Sequence, residues 1–326
     1  MTITQESSAP LIVVVGSTGL QGGSVIKALA ESGKPYRIRG LTRDPSKPAS
    51  QALAKQGVEI SALNITLENK DAVFKAFEGA TYAFAVTNFW DHCNKNREIA
   101  EGKMLVDAAK AANVKLLIWS GLENYTAASG GKYKNVDHFD GKAAVTAYAL
   151  EVGIPLANVE AAVYMSNYLA LSPYLEMAAP SKQDDGSYAI YGPNPPNSVA
   201  HFVDVAHDYG LFVRKAIESP RDASSGVDVF AYGEVISFAN LVKQLSEITG
   251  KTVKYVQVTP EQFMQSALAG GVAESSAREL LENFQVIEEF GYYGSKDTSR
   301  SLEGLARKPR TWAEFAKAND WSKVLN

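Results

Sequence analysis

The sequence predicts an α/β fold, a doubly wound parallel sheet followed by a smaller, mostly helical C-terminal lobe. Three observations predict it. A continuous apolar run, LIVVVG (11–16), passes straight into a glycine-rich turn and a helical pattern. Strand-like and helix-like segments then alternate up to about residue 165. Beyond that point the rhythm loosens into stretches rich in proline, glycine and asparagine, mixed with amphipathic helices.

LIVVVG reads as a strand buried on both faces, because no polar residue interrupts it. GGSVIKALAES carries helical spacing through Val25, Ile26 and Leu29, with Gly33 as its stop. YRIRGLTR (36–43) is a second strand, closed by the turn DPSKP. QALAKQGVEISALN repeats the helix-to-strand pattern, and KDAVFKAFEGA with TYAFAVTN repeats it again. GKMLVDAAKAANVKLLIWSG (102–121) and KAAVTAYALEVGIPLANVEAA (142–162) supply two further units. Repeated βα units imply a parallel sheet with helices on both faces. Ligands of such sheets sit beyond the carboxyl ends of the strands, which gathers Gly16 to Gly22, Arg43, Thr87, Asn88, Ser120 and Gly121 around one crevice.

In the second half, APSKQDDGSYAIYGPNPPNS (179–198) reads as a loop or hairpin. ISFANLVKQLSEITG is a helix with Ser237 as N-cap and Gly250 as its stop. KTVKYVQV is a strand, TPEQFMQSALAGG a helix capped by Thr259 with Pro260 in its first turn, and RKPRTWAEF a helix start capped by Thr311 with Glu314. The expected division is a nucleotide-binding domain over 1–165 and an α+β lobe over 166–326 that closes the cleft, with room for some of its segments to return to the sheet.

Composition excludes several classes. Hydrophobic residues make up 46% and charged residues 21% of the chain, ordinary values for a globular protein. A net charge of -4 gives no electrostatic case for nucleic acid or an anionic membrane. No apolar run approaches the roughly 18 residues of a membrane span, and MTITQESSAP lacks the pattern of a signal peptide. One cysteine, Cys93, rules out an internal disulfide and fits a reducing compartment, so a cytoplasmic location is expected, with the nucleus also open. His92 and Cys93 are adjacent without a second ligand pair, so no metal is expected and Cys93 reads as a small buried hydrophobe.

In G16-S-T-G19-L-Q-G22, Gly16 permits the tight turn, Gly19 lets the backbone approach a pyrophosphate, and Gly22 allows helix and strand to touch. Gly16, Ser17, Thr18, Gly19, Leu20, Gln21 and Gly22 are therefore candidate cofactor contacts, their amides and the helix N-terminus holding the anion. An acidic residue past the second strand would select NAD. Here Arg43 stands at that strand end with Lys47 four residues on, while Asp44 before Pro45 initiates a turn. A guanidinium suits a 2′-phosphate, so NADP(H) is the expected cofactor.

The chain resembles the short-chain dehydrogenase/reductase superfamily throughout its first half. That superfamily places a Ser at a strand end and a Tyr-x-x-x-Lys on the next helix. Ser120 fills the first position, but the helix reads H138-F-D-G-K142, with histidine in the tyrosine place. GSTGLQGGSV, LTRDPSKP, VTNFWDHC, SGLEN and HFDGKAAVTAY together resemble the NmrA-like family of atypical short-chain dehydrogenases. The likeness is closest to its animal redox-sensing branch, which also has a histidine in this corner. It runs from residue 11 to about 170 and more weakly beyond.

The resemblance implies a Rossmann-type fold and NADP(H) held by the glycine loop, Arg43, Thr87 and Asn88 with Phe89 beside them, Lys142, and Tyr164 and Asn167 of YMSN. Lys47 would assist Arg43. Asn64 stands where an aspartate usually lies near the adenine, Ser17 replaces a frequent glycine, and Glu160 replaces a frequently basic residue.

Two functions compete. The family resemblance implies a redox sensor or regulator that reads the NADPH/NADP+ balance, changes conformation or oligomeric state, and binds a partner such as a transcription regulator or an enzyme; a homodimer is compatible with it. The second reading is an NADPH-dependent reductase of a small carbonyl, quinone, enone or imine. In it His138, whose residue type titrates near neutral pH, is the general acid, Lys142 its neighbour and Ser120 the polarising hydroxyl. Tyr125 and Tyr133, in a stretch that reads as flexible, are substitute donors. The plain alternative for His138 is a remnant of a lost site, or a ring bonded to a backbone carbonyl. Phe89, Trp90, Phe139, Tyr168 and Tyr174 line the crevice for a planar substrate or pack the core.

Overall fold

The first strand, β1 (Leu11–Val15), is buried at every position. Its even residues, Ile12 and Val14, and its odd residues, Val13 and Val15, enter two different cores, as the period of a strand requires. The computed structural model describes residues 3–169, 178–219 and 226–326. In chain order β1 is followed by α1 (Leu20–Ala30), β2 (Arg37–Thr42), α2 (Pro48–Lys55), β3 (Glu59–Ala62), α3 (Lys70–Phe77) and β4 (Tyr82–Ala85). Then come α4 (Lys95–Ala111), β5 (Leu116–Trp119), α5 (Tyr125–Ala128), α6 (Asp137–Glu151) and β6 (Leu156–Ala161).

The second half contains β7 (Val163–Tyr164), β8 (Ser181–Lys182), β9 (Tyr188–Gly192), β10 (Val199–Val203), α7 (Val205–Glu218), β11 (Val227–Ala231) and β12 (Glu234–Ser237). It ends with α8 (Phe238–Thr249), β13 (Val253–Gln257), α9 (Pro260–Ala269), α10 (Glu274–Phe290) and α11 (Trp312–Ala318).

Among the described residues, seven strands form one parallel sheet in the order β11-β6-β5-β4-β1-β2-β3. The chain winds outward from β1 in one direction through β2 and β3, then crosses to β4 and winds the other way. That reversal leaves a crevice outside the carboxyl ends of β1 and β4, where open α/β sheets bind ligands.

One face of the sheet packs Ile12, Val14, Ile38, Phe84 and Ile118 against α1 and α7; the other packs Val13, Leu41, Ala83, Leu117 and Trp119 against α3, α4 and α6.

Two segments of the second half lie in this sheet layer. β11 extends the sheet edge by pairing with β6. α7 lies against α1 so closely that a Cβ on Gly210 would sit 2.0 Å from the Ser24 carbonyl oxygen. The Gly210 amide donates to Ser24 Oγ at 2.9 Å.

Asp204 caps α7, and Arg310 and Arg307 pair with Asp204 and Asp208. These pairs fasten the segment before α11 to the Rossmann layer. Asp204, His207 and Asp208 have the spacing of metal ligands, yet both carboxylates are occupied by those arginines.

Two small sheets, β12-β10-β7 and β13-β9-β8, carry α8 to α11. The 179–198 stretch is a hairpin: β8 and β9 pair antiparallel, and β9 also pairs with β13. Ser237, Thr259 and Thr311 cap α8, α9 and α11, the last two as full capping boxes, and Gly250 ends α8 at φ 70°. No described helix is long and apolar enough to cross a membrane.

Candidate functional site

A cleft of about 770 Å³ opens over the carboxyl ends of β1, β2, β3 and β4. Its floor is the turn from Gly16 to Gly22. Gly16 takes φ 66°, which a side chain would strain. A Cβ on Gly22 would sit 2.2 Å from the Gly16 carbonyl oxygen, so the turn closes only with glycine there. Gly19 is the N-cap of α1 and no side chain caps the helix, which leaves its first amides to an anion.

The other loop residues divide. Thr18, Leu20 and Gln21 line the cleft. Ser17 is fully buried and turns inward, its hydroxyl donating to the Leu41 carbonyl; it ties the loop to β2 instead of facing the cleft.

Arg43 stands on the rim, 68% exposed, with Nη1 3.1 Å from Asp91 Oδ2. The other oxygen of Asp91 accepts from Asn88 Nδ2 at 2.7 Å, so Asp91 bridges the two sides of the cleft mouth. Lys47 is exposed at the start of α2 and outside the lining. Asn64 lines the cleft after β3, beside Leu63 and Ile65. Thr87, Asn88 and Tyr164 line its far end. Phe89 is buried behind them, and Asn167, half-buried, lies outside the lining. Tyr174 lies outside the described residues.

The corner beyond Thr87 is built from α4, α6 and α10. Lys142 is buried, and its amine donates to the Thr87 carbonyl at 3.0 Å, Thr87 Oγ1 at 2.9 Å and Glu98 Oε1 at 2.8 Å. A lysine ammonium has three hydrogens, so a ribose hydroxyl at this amine would take over one of these bonds. Glu98 is fully buried; its Oε1 also accepts from Thr87 Oγ1, while Oε2 is buried without a hydrogen bond. Ser120 is buried at the end of β5 and donates to Gln21 Oε1 at 3.0 Å.

His138, in the first turn of α6, is tied to Glu279 of α10. Its backbone amide and its Nδ1 both meet Glu279 Oε1, at 2.7 and 2.6 Å. The ring packs against Phe139, Trp90 and Phe89, with centroids 4.7, 5.2 and 5.9 Å away. Its partner is therefore a buried carboxylate and not a backbone carbonyl. None of Ser120, His138 and Lys142 lines the cleft itself; they stand behind its Thr87 end.

The two substitute tyrosines are not mobile donors. Tyr125 begins α5, is fully buried and donates to the Tyr292 carbonyl, and burial pushes its hydroxyl pKa well above the usual tyrosine value. Tyr133 donates to Glu289 Oε1 at 2.6 Å; burial and that carboxylate raise its pKa as well. The glycines of ASGGKYK suggest flexibility, but the tyrosines on either side are fixed by the C-terminal lobe. Phe139 stacks on Tyr125 and Tyr168 packs on Trp312, so both serve the core.

Glu160 is buried in β6, away from the cleft, with Asn158 Nδ2 2.9 Å and Lys296 Nζ 3.6 Å from Oε1. Burial pushes its pKa up to about 8, against the pull of Lys296. Lys296 also pairs with Glu123 at 2.6 Å and Asp228 at 3.0 Å.

Sequence reasoning missed Asp91, Glu98 and Glu279. Glu98 did leave a signal: with Gly102, Leu105 and Ala109 it shares the buried stripe of α4, where a carboxylate needs a partner.

The cradle fits a dinucleotide: a glycine turn with no space for a Cβ at Gly22, an uncapped helix N-terminus and a guanidinium at the mouth. Fold and cleft define a Rossmann-type α/β protein with its site at the strand-order reversal. The pattern of the NmrA-like family matches residues 8–316, and the chain belongs to that family.

Among its relatives, the NmrA-like family domain-containing oxidoreductase FrzB of Cladobotryum sp is 30% identical over 264 residues, covering 77% of this chain and 76% of that protein. The nitrogen metabolite repression protein nmrA of Emericella nidulans is 26% identical over 305 residues, covering 90% and 80%. In three dimensions, NmrA, a negative transcriptional regulator in complex with NAD, superposes with a TM-score of 0.77 at 22% identity, over 97% of this chain and 99% of that one. The NADPH-dependent quinone oxidoreductase QOR2 from Escherichia coli, complexed with NADPH, gives 0.73 at 21% identity, over 94% and 99%. These likenesses establish the fold.

Proposed function

We propose that this chain binds NADP(H) in the cleft and is an NADPH-dependent reductase of a small carbonyl, quinone, enone or imine. The cofactor assignment is supported by Arg43 in the cleft lining at the end of β2, a guanidinium of the kind that suits a 2′-phosphate. Neighbours of the same fold carry NADP, NADPH or NADP(H) in their solved complexes. When bound, NADPH supplies the hydride. The chain's own part is to orient the dinucleotide on the glycine turn, shield the corner with Phe89 and Trp90, and hold a proton on His138.

The observation that carries the reductase reading is the partner of His138. A buried carboxylate on one ring nitrogen orients the imidazole, which is the support a proton-transferring histidine uses. Relatives named oxidoreductases, at 28–30% identity, point the same way.

The test is NADPH consumption with aldehydes, quinones, enones and imines, together with calorimetric titration of NADPH and NADH. Turnover that disappears in H138A, and an NADPH preference that collapses in R43A, are expected. Equal affinity of the unaltered protein for the two cofactors would overturn the cofactor assignment. Silence across the whole panel would overturn the reductase reading.

A second reading is favoured by one observation: the Ser120 hydroxyl and all three Lys142 hydrogens already serve protein acceptors. It makes the chain a redox sensor that reports the NADPH/NADP+ balance to a partner protein, such as a transcription regulator, or through its own self-association. Binding alone shifts no equilibrium, so NADPH and NADP+ must change partner affinity or oligomer size differently. Pull-down and light scattering in the two cofactors check this, and identical behaviour in both counts against it.

A further inference from the structure

We propose that Glu279 is a positioning residue: it fixes His138 as the Nδ1–H tautomer and so makes Nε2 the atom that passes a proton to the substrate. The proposal rests on the reductase reading and assigns a role to a residue of the C-terminal lobe.

The hydrogen-bond inventory around one oxygen carries the argument. Glu279 Oε1 meets two nitrogens of the same residue, the His138 backbone amide at 2.7 Å and Nδ1 at 2.6 Å. A backbone amide can only donate, so Oε1 is an acceptor. As a carboxylate oxygen can only accept, the partner at 2.6 Å from Oε1 carries its hydrogen on Nδ1. Nε2 is then the variable position, a lone pair in the neutral ring and an N–H in the imidazolium.

Among the described residues no hydrogen bond reaches Nε2, while 13% of the side chain stays exposed. Phe139, Trp90 and Phe89 pack the ring on several sides and limit its rotation. The arrangement matches the logic by which a buried carboxylate orients a histidine.

The hold is part of a larger clamp. Glu279 is 5% exposed, and it lies on α10, 141 residues from His138. The same helix sends Glu282 to the amides of Lys134 and Asn135, and Glu289 to Lys132 and Tyr133. The segment leading into α6 is therefore held at successive points by one helix, which limits how far the ring can drift from its geometry.

In the reduction, the electrophilic carbon of the substrate accepts hydride and its oxygen or nitrogen accepts the proton from Nε2. The two electrons come from NADPH, which leaves as NADP+. The ring is left neutral with Nδ1–H still on Glu279, and water returns the proton to Nε2.

The experiment pairs ¹⁵N-histidine NMR of the full chain with steady-state kinetics. An H138N sample assigns the His138 signals among the four histidines of the chain. The unaltered protein should show Nδ1–H, and E279A should convert the neutral ring to the Nε2–H form that free imidazole side chains prefer. In kinetics, E279A should lose about ten- to a hundredfold in kcat, the range for a ligand histidine deprived of its orienting group, with substrate KM within about twofold.

E279Q keeps an acceptor oxygen without the charge. It should retain the fold and the Nδ1–H tautomer and recover part of kcat; it carries the test if E279A does not fold. An Nε2–H signal in the unaltered protein, or E279Q with full kcat and E279A unchanged in tautomer, overturns the proposal. If the tautomer converts in E279A but the unaltered protein turns over no substrate, the reductase reading and the proton-passing role fall together, and only the hold on the ring survives.

Discussion

Replacing Glu160 by glutamine removes one titrating carboxyl from inside the sheet and should change how stability responds to pH. Glu160 is 1% exposed, and burial raises its pKa to about 8, although Lys296 pulls the other way and Asp228 and Glu123 add repulsion. In the unfolded chain a glutamate titrates near 4.3. The folded value is the higher, so the stabilisation tied to this proton is complete below about pH 4 and is lost as pH rises through about 8.

Between those limits the folded protein holds a proton that the unfolded chain has released, and stability falls by about 1.4 kcal/mol per pH unit from this group. Glutamine mimics the protonated form at every pH. The gap between E160Q and the unaltered protein should therefore move in favour of E160Q by about 3 kcal/mol from pH 5 to pH 7, as an upper bound. Urea unfolding of both proteins at pH 5, 6, 7 and 8 measures it, and taking the difference cancels the titrating groups that do not interact with Glu160. A gap that stays constant with pH would mean that Glu160 is ionised in the fold and that its pairing with Lys296 outweighs burial.

Three further outcomes are expected. K142M leaves Glu98 buried without its cation and should cost about 3–5 kcal/mol of stability in chemical denaturation, while K142M/E98Q should recover most of it; equal loss in both variants would mean the pair is not coupled. G22A drives a methyl to 2.2 Å from the Gly16 carbonyl oxygen, so the loop must shift, and NADPH binding by titration should weaken at least tenfold. G210A meets the backbone of α1 at 2.0 Å and should destabilise by about 1–3 kcal/mol, read as a lowered Tm; an unchanged Tm would mean that the two helices slide apart at no cost.

What the sequence made legible is local. The glycine turn, the position of Arg43 at the end of β2, and the caps at Ser237, Thr259 and Thr311 are written in consecutive residues, and short-range backbone chemistry decides them. What it hid is the identity of partners. Lys142 and His138 were visible as a pair on one helical face, but Glu98 lies 44 residues from Lys142 and Glu279 lies 141 from His138. No periodicity links residues so far apart.

The tyrosines show the same limit. A glycine-rich stretch reads as loose because local propensity favours no element there. Tertiary contacts then fixed Tyr125 on the carbonyl of Tyr292 and Tyr133 on Glu289. α7 and β11 join the sheet layer for a similar reason: their own sequences specify a helix and a strand, and only the uncovered face of α1 and the free edge of β6 say where they go.

The close seat of α7 on α1 also sets a timetable. Ser24 and Gly210 are 186 residues apart. At about 5–20 residues per second of synthesis, the apolar face of α1 waits roughly 10–40 s before its cover leaves the ribosome, and the β6 edge waits until β11 follows. During that interval the nascent chain presents an incomplete sheet. Slow translation just before residue 205 would lengthen its exposure.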